Sequence, residues 1–356
     1  AGILEDTPRF DYSGGASCPS LLLEPQRTNL LTHSEYFGGW NVVSQGTGLA
    51  PSLSIGGDFP LGDGKYYNLQ CDLNGGTTLS DRSYINLTGL SGAQFTAAKS
   101  LWIKNNSASE VSLFAGINFS ADKFTLAANA DWQRITIEGG VINNEFRIGL
   151  GGGASNSDSI DVSIFGAQCE AGSYPTSYIP TYGTSQTRSV EQLYTLEDSS
   201  LFDLEQGTFF LEMSALGDDG TDRKISISDG TNDNMVNIGF SRFTGNINGE
   251  VISNGVLQTS GFAATGVTQD TNNKFALVWG NGEFRFYVNG AKTKELSISN
   301  SPVGMDILRF AQGNGSQRTY LNNKQILLFP TALTDSECVE LTINGLKEEL
   351  IAAYKT

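Results

Sequence analysis

Short runs in which apolar and polar residues alternate recur along this chain, and each run stops at Gly, Asn or Asp. A period of two marks a strand with one buried face, and Gly-Gly, Asn-Gly and Asp-Gly pairs mark the turns between such strands. The pattern predicts strands at Ser100–Lys104, Glu110–Ile117, Arg134–Ile137 and Ser159–Phe165. A second series follows at Gly207–Ser214, Arg223–Ser228, Met235–Phe240, Gly245–Ile252, Phe275–Trp279, Glu283–Val288, Thr293–Ile298 and Lys324–Phe329. Within KFALVWGNGEFRFYVNGAKTKELSI, Asn281-Gly282 and Asn289-Gly290 suit two-residue type I′ turns, which need positive φ at both positions. Three consecutive antiparallel strands are expected there. The period changes after Phe329, where Thr334 and Glu337 form a capping box preceded by Leu333, and Asn344-Gly345 is the stop signal. Leu346, Leu350, Ile351 and Tyr354 then give a short apolar helical face.

Two stretches fit neither period. LLLEPQRTNLLTHSEYFGGW, residues 21–40, places a polar Gln-Arg-Thr-Asn segment between leucine clusters, and Pro25 disfavours helix at Glu24. AGSYPTSYIPTYGTSQTRS, residues 171–189, carries two prolines and three tyrosines and reads as extended chain. With 356 residues, 39% of them hydrophobic, two cores are expected. The predicted architecture is all-β: two β-sandwich (jelly-roll) domains in tandem with an N-terminal extended strap and a short C-terminal helix. Its boundaries are a strap at 1–37, a first sandwich at 38–172, a Tyr/Pro connector at 173–190, and a second sandwich with its helical tail at 191–356.

Charge and rare residues narrow the function. The 38 acidic and 22 basic residues give a net charge of -16, which opposes a nucleic-acid partner. No apolar run approaches the eighteen or so residues of a bilayer span, and AGILEDTPRF lacks the order of a signal peptide, so a soluble chain without membrane insertion is expected. Cys18, Cys71, Cys169 and Cys338 lie far apart with no CxxC pair and read as free buried thiols. His33 is the only histidine, which removes Ser/His/Asp and Cys/His triads and nearly all imidazole zinc sites. It sits in a polar stretch and reads as a surface or capping residue.

No alternating acid motif of a glycan hydrolase occurs, and Glu197, Asp198, Asp203 and Glu205 fall in a turn-like segment as solvated acids. A non-enzymatic protein is expected; a polysaccharide-degrading enzyme stays open as an alternative, because acids contributed by different strands leave no local motif. Sugar binding needs aromatic faces beside planar amides and acids. Trp40, after Gly38-Gly39, and Tyr66 with Tyr67, after Gly62-Asp63-Gly64, are the candidates for stacking. Trp102 and Trp132 read as core or edge packing. Asp218, Asp219 and Asp222, in the tight LGDDGTDRK loop, are hard-oxygen candidates for calcium, Asp218 and Asp222 foremost, although the full twelve-residue EF-hand pattern is absent. Gly151-Gly152-Gly153 has neither helix nor lysine after it and reads as a turn.

Three resemblances add to this reading. Residues 191–341, through the strand ending in Trp279, the FRFYVNG strand and the closing QILLFPTALTDSECVEL, resemble the laminin G-like branch of the concanavalin A-like superfamily. The first sandwich is similar to carbohydrate-binding-module jelly rolls in Asp131-Trp132-Gln133-Arg134 and in SIDVSIFGAQCEAG; that resemblance implies a calcium ligand at Asp161. RFDYSGGASCPSLLLEPQRTNLLTHSEYF and AQCEAGSYPTSYIPTYGTSQTR resemble paired segments of bacteriophage tail-fibre and virion-appendage proteins, one entering and one leaving a jelly roll. This implies a strap whose Gln26–Asn29 side chains satisfy backbone groups of extended chain. It also implies a virion protein with other virion subunits and further copies of itself as partners, while a bacterial surface polysaccharide as partner follows from analogy with the two lectin-like folds. A purely structural decoration protein is the remaining alternative.

Overall fold

The computed structural model describes residues 8–12, 19–90, 95–116, 118, 120–137, 141–142, 144–153, 156–191, 193, 196–202 and 204–345. The chain is all-β, with several antiparallel sheets and a short helix near the C-terminus. It forms two compact units, Gln26–Val190 and a second made of Ala1–Pro25 with Glu191–Thr356. Cys18 and the apolar face from Leu346 to Tyr354 lie outside the described residues.

The Gln26–Val190 unit is a sandwich of two sheets. One has the order Lys123–Leu126, Val111–Gly116, Glu145–Gly151, Arg82–Thr88, Asn41–Gln45. The other runs Gln133–Ile137, Phe95–Asn105, Ser159–Ala171, Lys65–Asp72, Ser52–Asp58. Strict alternation explains both faces of the second sheet: Tyr67, Leu69 and Cys71 point into the core, while Tyr66, Asn68 and Gln70 point out. Leu101, Ile103, Val162 and Ile164 complete the inner layer. Burial of each such large aliphatic side chain contributes about 1.5–3 kcal/mol. At one end of the sandwich, Asp81 accepts from Thr47 N and Thr78 N at 2.9 and 2.8 Å and from Thr78 Oγ1 at 2.7 Å. These donors, the Thr47 amide first, pull its carboxyl down to about 2.

The residues expected as one strap at 1–37 divide between the units. Ser20–Leu23 is a strand paired with Leu321–Phe329 in the seven-stranded sheet of the second unit. Arg27–Asn29 instead pairs with Gln186–Arg188 of the connector in the first unit. Asn29 is fully buried and uses every hydrogen-bonding group of its side chain. Its Nδ2 donates to Ala167 O and Ile179 O at 3.2 and 2.9 Å, and its Oδ1 accepts from Cys169 N and Leu31 N at 3.1 and 3.2 Å. Gln168 extends the pattern, accepting from Ile179 N at 2.7 Å and donating to Glu170 Oε2 at 2.7 Å. Glu170 in turn accepts from Thr176 N at 2.7 Å. The entering and leaving segments are thus fastened to the last strand through buried side chains.

In the second unit the seven-stranded sheet faces a sheet ordered Leu196–Glu197, Ile307–Arg309, Arg223–Ser228, Met235–Phe240, Ile247–Ser253, Val256–Leu257. Asn281, Gly282, Asn289 and Gly290 all have positive φ, at 53°, 80°, 48° and 88°, as the two type I′ turns require. The helix Asp335–Asn344 begins with the Thr334–Glu337 capping box and ends at Gly345. Its Cys338 and Leu341, with Leu333, cover Phe210, Val278 and Tyr287 on the outer face of the seven-stranded sheet. Cys71, Cys169 and Cys338 are free and buried, and burial pushes each thiol up to about 12. Glu24 and Glu191 bracket the two places where the chain passes between units. Glu24 N donates to Glu191 Oε2 at 2.8 Å, Glu191 N donates to Glu24 O at 3.0 Å, and Arg9 pairs with both carboxylates.

Asn29→Ala strands two buried N–H groups and two buried carbonyls, and is expected to cost the first unit about 3 kcal/mol, read as a lower denaturant midpoint. Because the folded Asp81 carboxyl lies below its unfolded value, its contribution is complete above about pH 4 and is lost as pH falls through the folded value. The midpoint gap between the wild type and Asp81→Asn is therefore expected to be constant above about pH 4 and to close between about pH 4 and pH 2. A gap independent of pH overturns this.

Candidate functional site

The outward positions of the second jelly-roll sheet form a groove of about 420 Å³ lined by Ser52, Ser54, Tyr66, Asn68, Gln70, Lys104, Asn106, Trp132, Asp161 and Ser163. The ladder register explains why these residues meet. Ser52, Gln70 and Asp161 sit opposite one another across three neighbouring strands, and Ser54, Asn68, Ser163 and Lys104 form the adjacent row across four. At about 4.8 Å per strand, the longer row spans about 14 Å across the sheet. The groove therefore crosses the strands and reaches the sheet edge formed by Ser52–Asp58.

Hydrogen bonds fix the floor. Gln70 Nε2 donates to Asp161 Oδ2 at 2.8 Å, and Asn106 Nδ2 donates to Asp161 Oδ1 at 3.0 Å. Asn106 Nδ2 also donates to Ser163 Oγ at 3.0 Å, and the Ser163 hydroxyl donates to Asn68 Oδ1 at 2.8 Å. A carboxylate only accepts, so both amide nitrogens must face Asp161 and both amide oxygens are turned away from it. Asn68, accepting through its oxygen, keeps its NH₂ for a ligand. Lys104 lies 3.4 Å from Asp131, whose Oδ1 also accepts from Trp132 N at 2.8 Å. The Trp132 amide, and then Lys104, hold the Asp131 carboxyl below its ordinary range.

An aromatic wall flanks this floor. The Tyr66 and Trp132 rings meet edge to face at 5.3 Å, and Trp132 rests edge to face on buried Phe59 at 5.1 Å. Phe59 is stacked on Phe165 at 4.0 Å. Tyr66 lies across Gly56 in the edge strand, where the ladder register shifts between Ile55 and Asp58. A Cβ on Gly56 would come within 1.9 Å of the Tyr66 ring.

Of the residues read from sequence as stacking candidates, Tyr66 lines the groove. Trp40 and Tyr67 are 5% and 6% exposed and pack in the core with Phe37, so neither offers a face to a ligand. Alternation along Lys65–Asp72 dictates this for Tyr67, and the Trp40 indole N–H is spent on His33 O at 2.9 Å. Trp132, read as core or edge packing, packs on Phe59 before an edge strand and also lines the groove; Lys104 comes beside it through a ladder to another strand, which no local pattern signals. Trp102 does pack, against Phe59 at 5.7 Å.

The calcium candidates fall in different units. Asp161 lies in the groove, but both its oxygens accept from amide nitrogens. Asp222 and Asp218 lie in the second unit, where Asp222 accepts from Arg242 N at 2.8 Å and Asp218 reaches Thr244 Oγ1 at 3.4 Å. Among the described residues, no three His, Cys, Asp or Glu side chains converge on a point that could hold an ion. The floor has the polar groups and the wall the apolar face that a sugar ring needs, and Asp161 is the one carboxylate among the lining residues.

The chain matches no family model and no curated protein. Solved structures similar to it include the three that follow. The CBM40 of Ruminococcus gnavus IT-sialidase is 16% identical over 43% of this chain and 95% of its own, with a TM-score of 0.36. The SAP-like pentraxin of Limulus polyphemus is 12% identical over 42% and 73%, with a TM-score of 0.32. Domains LG4-5 of the mouse laminin alpha1 chain are 13% identical over 73% and 91%, with a TM-score of 0.28.

Gly56→Ala is expected to push the Tyr66 ring off Trp132 while the core stays folded, read as loss of the nuclear Overhauser contact between the two rings. A retained contact shows that the edge strand yields and that Gly56 does not set the wall.

Proposed function

We propose that the outer sheet face of the first sandwich binds a glycan, and that the chain is a non-enzymatic appendage protein of a bacteriophage virion that attaches to bacterial surface polysaccharide. The observation that carries the binding reading is the Tyr66–Trp132 wall beside a floor of amides, hydroxyls and one carboxylate. Sugar rings present C–H faces to aromatics and paired hydroxyls to planar amides, so this combination suits them. The groove crosses the strands and reaches an open edge, which suits the interior of an extended chain. A hydrolytic reading would call for a second carboxylate facing Asp161 across roughly 5–9.5 Å, and the lining residues supply none.

The virion part is supported by the resemblance of the entering and leaving segments to those of tail-fibre and appendage proteins. On that reading, neighbouring virion subunits and further copies of this chain are its assembly partners.

The test is incubation of the intact protein with a panel of bacterial polysaccharides, following bound protein and newly formed reducing or unsaturated ends. Binding without new ends is expected, and Trp132→Ala should weaken it roughly 30-fold, the effect of removing an aromatic worth about 2 kcal/mol. New ends would make the protein a depolymerase. Binding that survives Trp132→Ala unchanged would move the site elsewhere, and no binding to any polysaccharide would leave a structural virion role.

A further inference from the structure

We infer that the groove selects an uncharged, hydroxyl-rich polysaccharide over an acidic one, and that Asp161 makes the selection; the inference rests on the glycan reading above. Two independent properties of the floor lead there. The first is hydrogen-bond polarity. Asp161 holds Gln70 Nε2 at 2.8 Å and Asn106 Nδ2 at 3.0 Å, and Asn106 Oδ1 lies 3.3 Å from the Ser163 hydroxyl, so Gln70 Oε1 and Asp161 itself are the acceptors left to the ligand. A hydroxyl can donate to such a row. A carboxylate or sulfate group brings only acceptors, so beside Gln70 and Asp161 its oxygens go unpaired, and the Asn68 NH₂ in the adjacent row serves either ligand class alike.

The second property is charge. Asp161 and Lys104 are the charged residues among those lining the groove, and Lys104 is paired with Asp131 at its rim. The balance of the three groups is one negative charge, within a chain whose net charge is -16. At physiological salt the screening length is about 8 Å, shorter than the groove, so these three groups, with a balance of one negative charge, dominate what an acidic sugar senses there. The rest of the chain adds a weaker repulsion that slows the approach of a polyanion. Polarity and charge oppose the same ligand class, and both trace to Asp161: removing its charge also frees the two amides to turn over.

Asp161→Asn keeps the shape of the side chain and allows either orientation of Gln70 and Asn106. Lys104→Gln, on the half-exposed rim, changes the charge in the opposite sense without touching the floor network. The experiment measures affinity of the intact protein for neutral probes (a β-glucan, a mannan, a galactan) and acidic probes (polygalacturonate, alginate, a polysialic acid), with circular dichroism confirming the fold of each variant. The wild type is expected to bind at least one neutral probe about ten-fold or more tightly than every acidic probe, equivalent to about 1.4 kcal/mol. Asp161→Asn should bring that ratio below about three-fold, and Lys104→Gln should widen it. An acidic probe bound as tightly as the best neutral one overturns the selection and leaves glycan binding standing. A ratio unchanged in Asp161→Asn removes Asp161 as its cause; should that variant not fold, an unchanged ratio in Lys104→Gln counts against the charge argument in its place. Failure of the folded wild type to bind any probe overturns the glycan reading and this inference together.

Discussion

The first sandwich depends on one side chain that belongs to neither of its sheets. Asn29 sits in a segment that would otherwise bring unpaired backbone groups against the end of the last strand, Ser159–Ala171. Its amide oxygen takes the N–H groups of Leu31 and Cys169, and its amide nitrogen serves the carbonyls of Ala167 and Ile179. An amide is the smallest side chain with two donors and two acceptor lone pairs, so no other residue of that size satisfies all four groups at once. The entering chain, the final strand and the leaving chain are joined at this point. Leu31 and Phe37 then follow it into the core.

The consequence reaches the groove. Ser159–Ala171 supplies Asp161 and Ser163 to the floor at one end and is held by Asn29, Gln168 and Glu170 at the other. A strand fixed along its length sets the register of its neighbours, and a slip of one residue would exchange every floor side chain for a core one. The buried clamp and the exposed site are thus two ends of one constraint.

Much of this was legible in the sequence, and what was not has a physical reason. The second unit is readable because Asn-Gly pairs demand positive φ and the Thr334–Glu337 box demands a helix start, both of which are local requirements. The strap role of the Gln-Arg-Thr-Asn segment was implied by its resemblance to tail-fibre segments, and Asn29 is the member that serves backbone groups in this way. The strand Lys65–Asp72 was not, because Asn68 and Asp72 are residues that favour turns. Asn68 and Gln70 stand in the strand with their outward faces on the floor of the groove. Lys65–Asp72 therefore departs from strand propensity at the positions where function places polar groups. Asn29 and Cys169 are 140 residues apart, and the pairing of Ser54, Asn68 and Ser163 depends on ladders between distant segments, so no local pattern announces either.

Trp132 shows how the fold makes a stacking surface without loosening itself. An exposed indole on a mobile loop would lose rotamer freedom on binding, a cost of about 0.5–1.5 kcal/mol per immobilised side chain. Here that freedom is already restricted. The backbone N–H of Trp132 is held by Asp131, its ring rests on Phe59, and Phe59 is stacked on Phe165. Tyr66 completes the wall by lying over a glycine that leaves it room. Because Phe165 is carried by the same strand as Asp161, the apolar wall and the polar floor share one rigid support. On the proposed glycan reading, a sugar that fits one is in register with the other, and the binding energy of the wall is available to orient hydroxyls on the floor.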